Sequence, residues 1–126
     1  MSRIESAAAT RRALLDDAAE LLDGGGPAAV TLREVGARAG VSRGAPYRHF
    51  ADKENLLTSI AAEGWQRVGD EMQALQQDSR LQPAEKLRAA LLVLVNISRR
   101  QPHLYTLMFT APSGDPTAVV RAAQRG

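Results

Sequence analysis

The chain has 126 residues, 44% of them hydrophobic and 24% charged, which is the composition of a folding chain and excludes a disordered one. It has no cysteine, which rules out a disulfide framework, thiolate metal sites and a cysteine nucleophile, and makes the cytoplasm the expected location. A net charge of +2 is too small to announce a nucleic-acid partner by itself. No apolar core of signal-peptide length stands at the N-terminus, and the longest apolar run, Ala89 to Val95, is far too short to span a bilayer.

In chain order, Leu14, Ala18, Leu21 and Leu22 recur at helical spacing and predict a first helix over roughly Ala8 to Asp23, stopped by Gly24-Gly25-Gly26-Pro27. Thr31 followed by Glu34 reads as a capping box opening a second helix, with Leu32, Val35 and Ala39 on its apolar face and Gly40 ending it. Ser42 reads as the next N-cap, which predicts a third helix from Arg43 to Phe50, and Asp52 caps a fourth. From Lys53, the residues Leu57, Ile60, Ala61, Gly64, Val68, Met72 and Leu75 keep one face apolar for about six turns, predicting a long amphipathic helix. Pro83 opens a fifth helix, apolar almost all round between Lys86 and Val95 and therefore expected to be central. Pro102 is expected to close it, His103 to Thr110 to form a sixth helix, and Asp115-Pro116 to open a seventh. With no strand alternation of useful length, the fold class is all-α: a three-helix head over residues 1–52, then a partial helical domain over 53–126.

The densest signal lies in the second and third helices, TLREVGARAG followed by VSRGAPYRHF, whose spacing is that of a helix-turn-helix that presents its second helix to the DNA major groove. From Arg38 to Lys53 four cations, Arg38, Arg43, Arg48 and Lys53, face a single acid, Asp52. Arg43, beside the tiny residues Gly44 and Ala45, is the leading candidate for a bidentate contact to guanine. Thr31, Ser42, Tyr47, His49 and Lys53 are hydroxyl-bearing or cationic groups suited to clamping phosphates.

Residues from about Thr10 to Ala62 resemble the DNA-binding domain of the TetR (tetracycline-repressor-like) regulators. The resemblance rests on Thr31-Leu32-Arg33-Glu34-Val35, Ala39-Gly40-Val41-Ser42, Pro46-Tyr47-Arg48-His49-Phe50 and Lys53-Glu54-Asn55-Leu56-Leu57. It implies a sequence-specific regulator, usually a repressor released from DNA by a small-molecule inducer. It implies a homodimer on a near-palindromic operator of double-stranded DNA, and DNA contacts at Thr31, Arg33, Ser42, Arg43, Gly44, Tyr47, His49 and Lys53. Phe50 and Val41 are expected in the core. The stretch from Leu104 to Phe109 resembles the sixth helix of one regulatory-domain subtype. The family's two further long helices, which build the dimer interface, are expected to be missing from this chain, so it is expected to bind DNA more weakly than a complete family member.

Other readings are blander. The glycine run follows a helix and lacks a Gly-Lys-Ser/Thr ending, so it reads as a linker and not a phosphate loop. His49 lacks well-placed partners for a metal, and His103 reads as a capping or core residue. Trp65, Met72, Met108 and Phe109 read first as core and second as the lining of a ligand cavity. No Ser-His-Asp spacing or metal triad supports an enzyme, and no cofactor is expected. The competing function is a truncated helical interaction module that no longer holds DNA tightly.

Overall fold

The computed structural model describes residues 3–110, and the seventh helix expected at Asp115-Pro116 lies outside them. Among the described residues the regular structure is helical, as expected: α1 (Arg3–Gly25), a 3-10 turn (Pro27–Ala29), α2 (Leu32–Ala39), α3 (Ala45–His49), α4 (Lys53–Gln77), α5 (Pro83–Arg100) and α6 (Pro102–Thr110). The chain divides into two compact units, with the break between Ile60 and Ala61 inside α4.

In the first unit α1 is longer than its apolar pattern at both ends. Its Ala-rich start contains no helix breaker, and glycine weakens a helix by only about 1 kcal/mol without removing a donor. The ladder therefore runs on until the Gly26 amide bonds the Leu22 carbonyl at 2.8 Å, and Pro27 begins the next turn. Leu14, Leu15, Ala18 and Leu22 of α1 are buried, as are Val30, Leu32, Val35, Phe50, Leu56 and Ile60. Phe50 is thus core as expected, whereas Val41 is only half-buried.

The start of α2 is set by Thr31, whose Oγ1 accepts the Glu34 N–H at 3.1 Å. Its end is a Schellman turn: the Gly40 amide bonds the Ala37 carbonyl and the Val41 amide bonds the Gly36 carbonyl, both at 3.2 Å. Gly40 has φ +69°, a left-handed conformation that costs a residue with a Cβ about 1–2 kcal/mol. Gly36 serves differently, since a Cβ there would lie 2.7 Å from Cγ of Pro46. The two helices meet closely because that position is bare. Thr31→Ala should lower stability by about 0.5–2 kcal/mol, read as a lower urea midpoint with unchanged slope, and Thr31→Ser should restore most of it.

The third helix is shorter than the sequence suggested. Ser42 is not its N-cap and Arg43 is not its first residue: α3 starts at Ala45, with Gly44 as N-cap. The cause is Pro46, because a helix capped by Ser42 needs the amide of residue 46 to bond the Ser42 carbonyl, and proline has no N–H. The Ala45 amide takes that carbonyl instead, at 3.1 Å, so residues 42–45 form a turn that feeds a helix of five residues. The cap of α4 is as read, with Asp52 Oδ1 accepting the Asn55 amide at 2.8 Å while Asn55 Oδ1 accepts the Ala51 amide at 3.3 Å.

In the second unit, α4 and α6 are joined by Trp65, whose indole N–H donates to the Met108 carbonyl at 2.8 Å and whose ring meets Phe109 edge-on at 4.9 Å. Val68, Leu104, Leu107 and Met108 are buried, while Phe109 is exposed. Between α4 and α5, the Arg80 guanidinium bonds Asp78 and holds its carboxyl down at about 2, so this turn keeps its ion pair until pH falls towards that value. Glu85 accepts the Gln82 amide at 3.0 Å at the start of α5, which ends at Arg100, with Gln101 as its C-cap before Pro102 opens α6.

The expectation that α5 is central is overturned. It contains no buried residue, and Leu87, Leu91, Leu92 and Val95 are exposed, lining a groove of about 300 Å³ with Ala84 and Arg88. Periodicity establishes that a helix has an apolar face, but whether that face is covered depends on other elements.

Candidate nucleic-acid interface

The α2–α3 pair carries most of the candidate residues. Arg33, on the first turn of α2, and Ser42, Arg43 and Tyr47, on the turn and on α3, line one concavity of about 480 Å³ whose floor includes Leu32, Gly36 and Pro46. All four are exposed, Tyr47 to 59%. The arrangement follows from the sequence below it: the bare Gly36 lets Pro46 seat against α2, and this brings Arg33, one turn before Gly36, to the same concavity as Ser42, Arg43 and Tyr47. Gly44 is also exposed, with ordinary right-handed backbone angles, and a Cβ there would meet only the Arg48 guanidinium, at 3.6 Å. The fold itself therefore makes little demand for glycine at this point.

Thr31 and Lys53 are exposed at the starts of α2 and α4, and His49 is half-buried at the end of α3. The Thr31 oxygen is engaged as an acceptor in its cap, which leaves its O–H as a donor. A second concavity, of about 540 Å³, joins Ser42 and His49 to Ser6, Thr10 and Arg48 on the α1 side of α3. Arg38 is drawn to Glu20 at 2.7 Å, so the basic excess of this stretch rests on Arg43, Arg48 and Lys53.

Sequence reading missed Arg11. Its Nη1 donates to the His49 carbonyl at 3.0 Å, and its guanidinium carbon lies 4.6 Å from the centre of the Phe50 ring. The signal available was its register, since Arg11 stands one turn before Leu14 and Leu15 on the stripe that continues to Ala18 and Leu22.

Two short helices joined by a glycine-terminated turn, the second held against the first by a proline and displaying cations and hydroxyls, define a helix-turn-helix protein. Residues 14–60, which contain every candidate residue, form a domain that matches the bacterial regulatory proteins of the tetR family. It is 31% identical over 91 residues to Rv1255c, an HTH-type transcriptional regulator of Mycobacterium tuberculosis, covering 72% of this chain and 45% of that protein. It is 30% identical over 125 residues to the HTH-type transcriptional regulator AcrR of Shigella flexneri, covering 96% of this chain and 58% of AcrR. Among solved structures it is similar to a SmeT–triclosan complex, with a TM-score of 0.60 and 31% identity over 93% of this chain and 57% of that one. The chain thus spans about half the length of the curated relatives it matches. Those relatives are transcriptional regulators, and no helix among the described residues is long and apolar enough to cross a membrane.

Proposed function

We propose that the chain is a sequence-specific, non-enzymatic transcriptional regulator of the cytoplasm, a repressor that releases double-stranded DNA when a small molecule binds. The observation that carries this reading is the exposed group Arg33, Ser42, Arg43 and Tyr47 on a helix-turn-helix inside the segment that matches the tetR family. In this reading residues 1–52 are the DNA-binding head, and the helix from Lys53 begins the regulatory part. The turn carrying Arg43 and the start of α3 enter the major groove, where Arg43 reads guanine and the bare Gly44 lets the backbone approach the base edges. Thr31, Arg33, Ser42, Tyr47, His49 and Lys53 hold the phosphates on either side. Two copies on a near-palindrome gain affinity through the high effective concentration of the second head. A small-molecule inducer is supported by the similarity to SmeT, which was solved with triclosan.

The test is selection of duplexes from a randomised pool, followed by titration of the preferred duplex and a scrambled one at two salt concentrations. The proposed function requires a clear preference and an affinity that falls steeply with salt. Lys53→Ala should weaken both duplexes alike and lower the salt slope by about 1. An unchanged slope removes Lys53 from the phosphate contacts. The exposed apolar face of α5 favours a second reading, a helical interaction module without tight DNA binding. Equal, weak binding of both duplexes selects that module.

A further inference from the structure

A five-residue helix cannot hold its own orientation, because it has scarcely more than one turn of internal hydrogen bonds and leaves its last carbonyls without helical partners. At its N-terminal side α3 is fixed by Pro46 seated against the bare Gly36. At its C-terminal side the Phe50 amide closes back on the Pro46 carbonyl at 2.9 Å, and the next contact comes from a residue 38 positions earlier in the chain. That residue is Arg11. Its guanidinium donates at 3.0 Å to the His49 carbonyl and lies over the ring of Phe50, which is only 1% exposed and so is itself anchored in the core.

We propose that Arg11 is a positioning residue that clamps the C-terminal end of α3 and thereby sets the attitude in which the helix-turn-helix meets DNA, an inference that rests on the DNA-binding reading above. The clamp has two parts that only an arginine combines. The planar guanidinium stacks on the aromatic face while one edge points an N–H at the carbonyl, and a positive charge at a helix C-terminus is favourable. Lysine supplies the charge without the plane. Because Arg11 is exposed, its charge keeps its water, so the clamp needs no buried ion pair. With Gly36–Pro46 at one end and Arg11–Phe50 at the other, rotation of α3 about its own axis is restrained at two points; Tyr47 lies between them and the Ser42–Arg43 turn runs directly into the first.

The alternative role for an exposed arginine near the interface is direct contact with a phosphate, and the two roles differ in what they do to salt dependence. The experiment compares wild type, Arg11→Met and Arg11→Lys on the duplex selected from the randomised pool and on its scrambled counterpart, together with amide hydrogen exchange of the free proteins. The clamp requires the preference for the selected duplex to fall about tenfold in both variants, with the salt slope unchanged. It also requires the Phe50 amide to exchange about tenfold faster in both, while the Val35 amide, bonded to the Thr31 carbonyl at the start of α2, keeps its rate. A slope lowered by about 1 in Arg11→Met, with wild-type behaviour of Arg11→Lys, overturns the clamp in favour of a phosphate contact. Equal acceleration at Val35 and Phe50 overturns it in favour of a general role in stability. A wild-type chain that binds all duplexes alike sinks the DNA reading and with it the functional half of the proposal, whereas the exchange result still judges the clamp.

Discussion

Phe50→Ala should destabilise the first unit by about 3–5 kcal/mol, the cost of removing a buried phenyl ring and leaving a cavity. Phe50 is 1% exposed, ends α3 by donating its N–H to the Pro46 carbonyl, and carries the guanidinium of Arg11 on its ring. Its loss therefore removes core packing and one anchor of α3 together. Since a domain's whole stability is about 5–15 kcal/mol, the variant should be partly unfolded at ordinary temperature, and a urea titration followed by circular dichroism reads this as a large fall in midpoint. Tyr47, three residues earlier and 59% exposed, is the control: Tyr47→Ala should change stability by less than about 0.5 kcal/mol. The single tryptophan, Trp65, belongs to the second unit through its bond to Met108, so its fluorescence follows that unit separately. A Phe50→Ala chain as stable as wild type removes Phe50 from the core, and with it the footing of Arg11.

What the sequence disclosed and what it withheld divide along one physical line. Local devices were legible. The Thr31 cap, the left-handed Gly40, the Asp52 cap and Pro83 at the head of α5 each depend on residues within a few positions of one another, and each is present. The start of α3 was also decided locally, by Pro46, but by a missing donor: Ser42 has the right side chain for a cap, and the amide that its carbonyl required does not exist. Two features depended on distant parts of the chain. Arg11 meets His49 across 38 positions, and only its place on the stripe of α1 distinguishes it from the neighbouring Arg12, which pairs with Asp16. The apolar character of α5 was plain, yet the exposure of Leu87, Leu91, Leu92 and Val95 is settled by what packs there, and no periodicity contains that information. Among the candidate contacts, the sequence grouped Arg33, Ser42, Arg43 and Tyr47 by type, and the close approach of Gly36 to Pro46 is what gathers them on one concavity.

Arg43→Ala should reduce affinity for the preferred duplex by about tenfold to a hundredfold while changing affinity for a scrambled duplex much less. The magnitude follows from a bidentate arginine–guanine contact, worth about 1–3 kcal/mol of discrimination. Arg43→Lys isolates the cause, because it keeps the charge and loses the planar fork: non-specific affinity and salt slope should stay at wild-type values while the preference is lost. The placement of Arg43 makes this a sharper test than it would be for a residue inside a helix. Arg43 sits on the turn closed by the Ala45–Ser42 hydrogen bond at 3.1 Å, before Pro46 and outside the ladder of α3, so its truncation removes no helix-stabilising contact. Unfolding curves of wild type and both variants should therefore coincide within about 0.5 kcal/mol, and any loss of preference belongs to recognition and not to folding. Equal retention of preference in Arg43→Ala and wild type would transfer base reading to another residue of the concavity, with Arg33 and Tyr47 the next to vary.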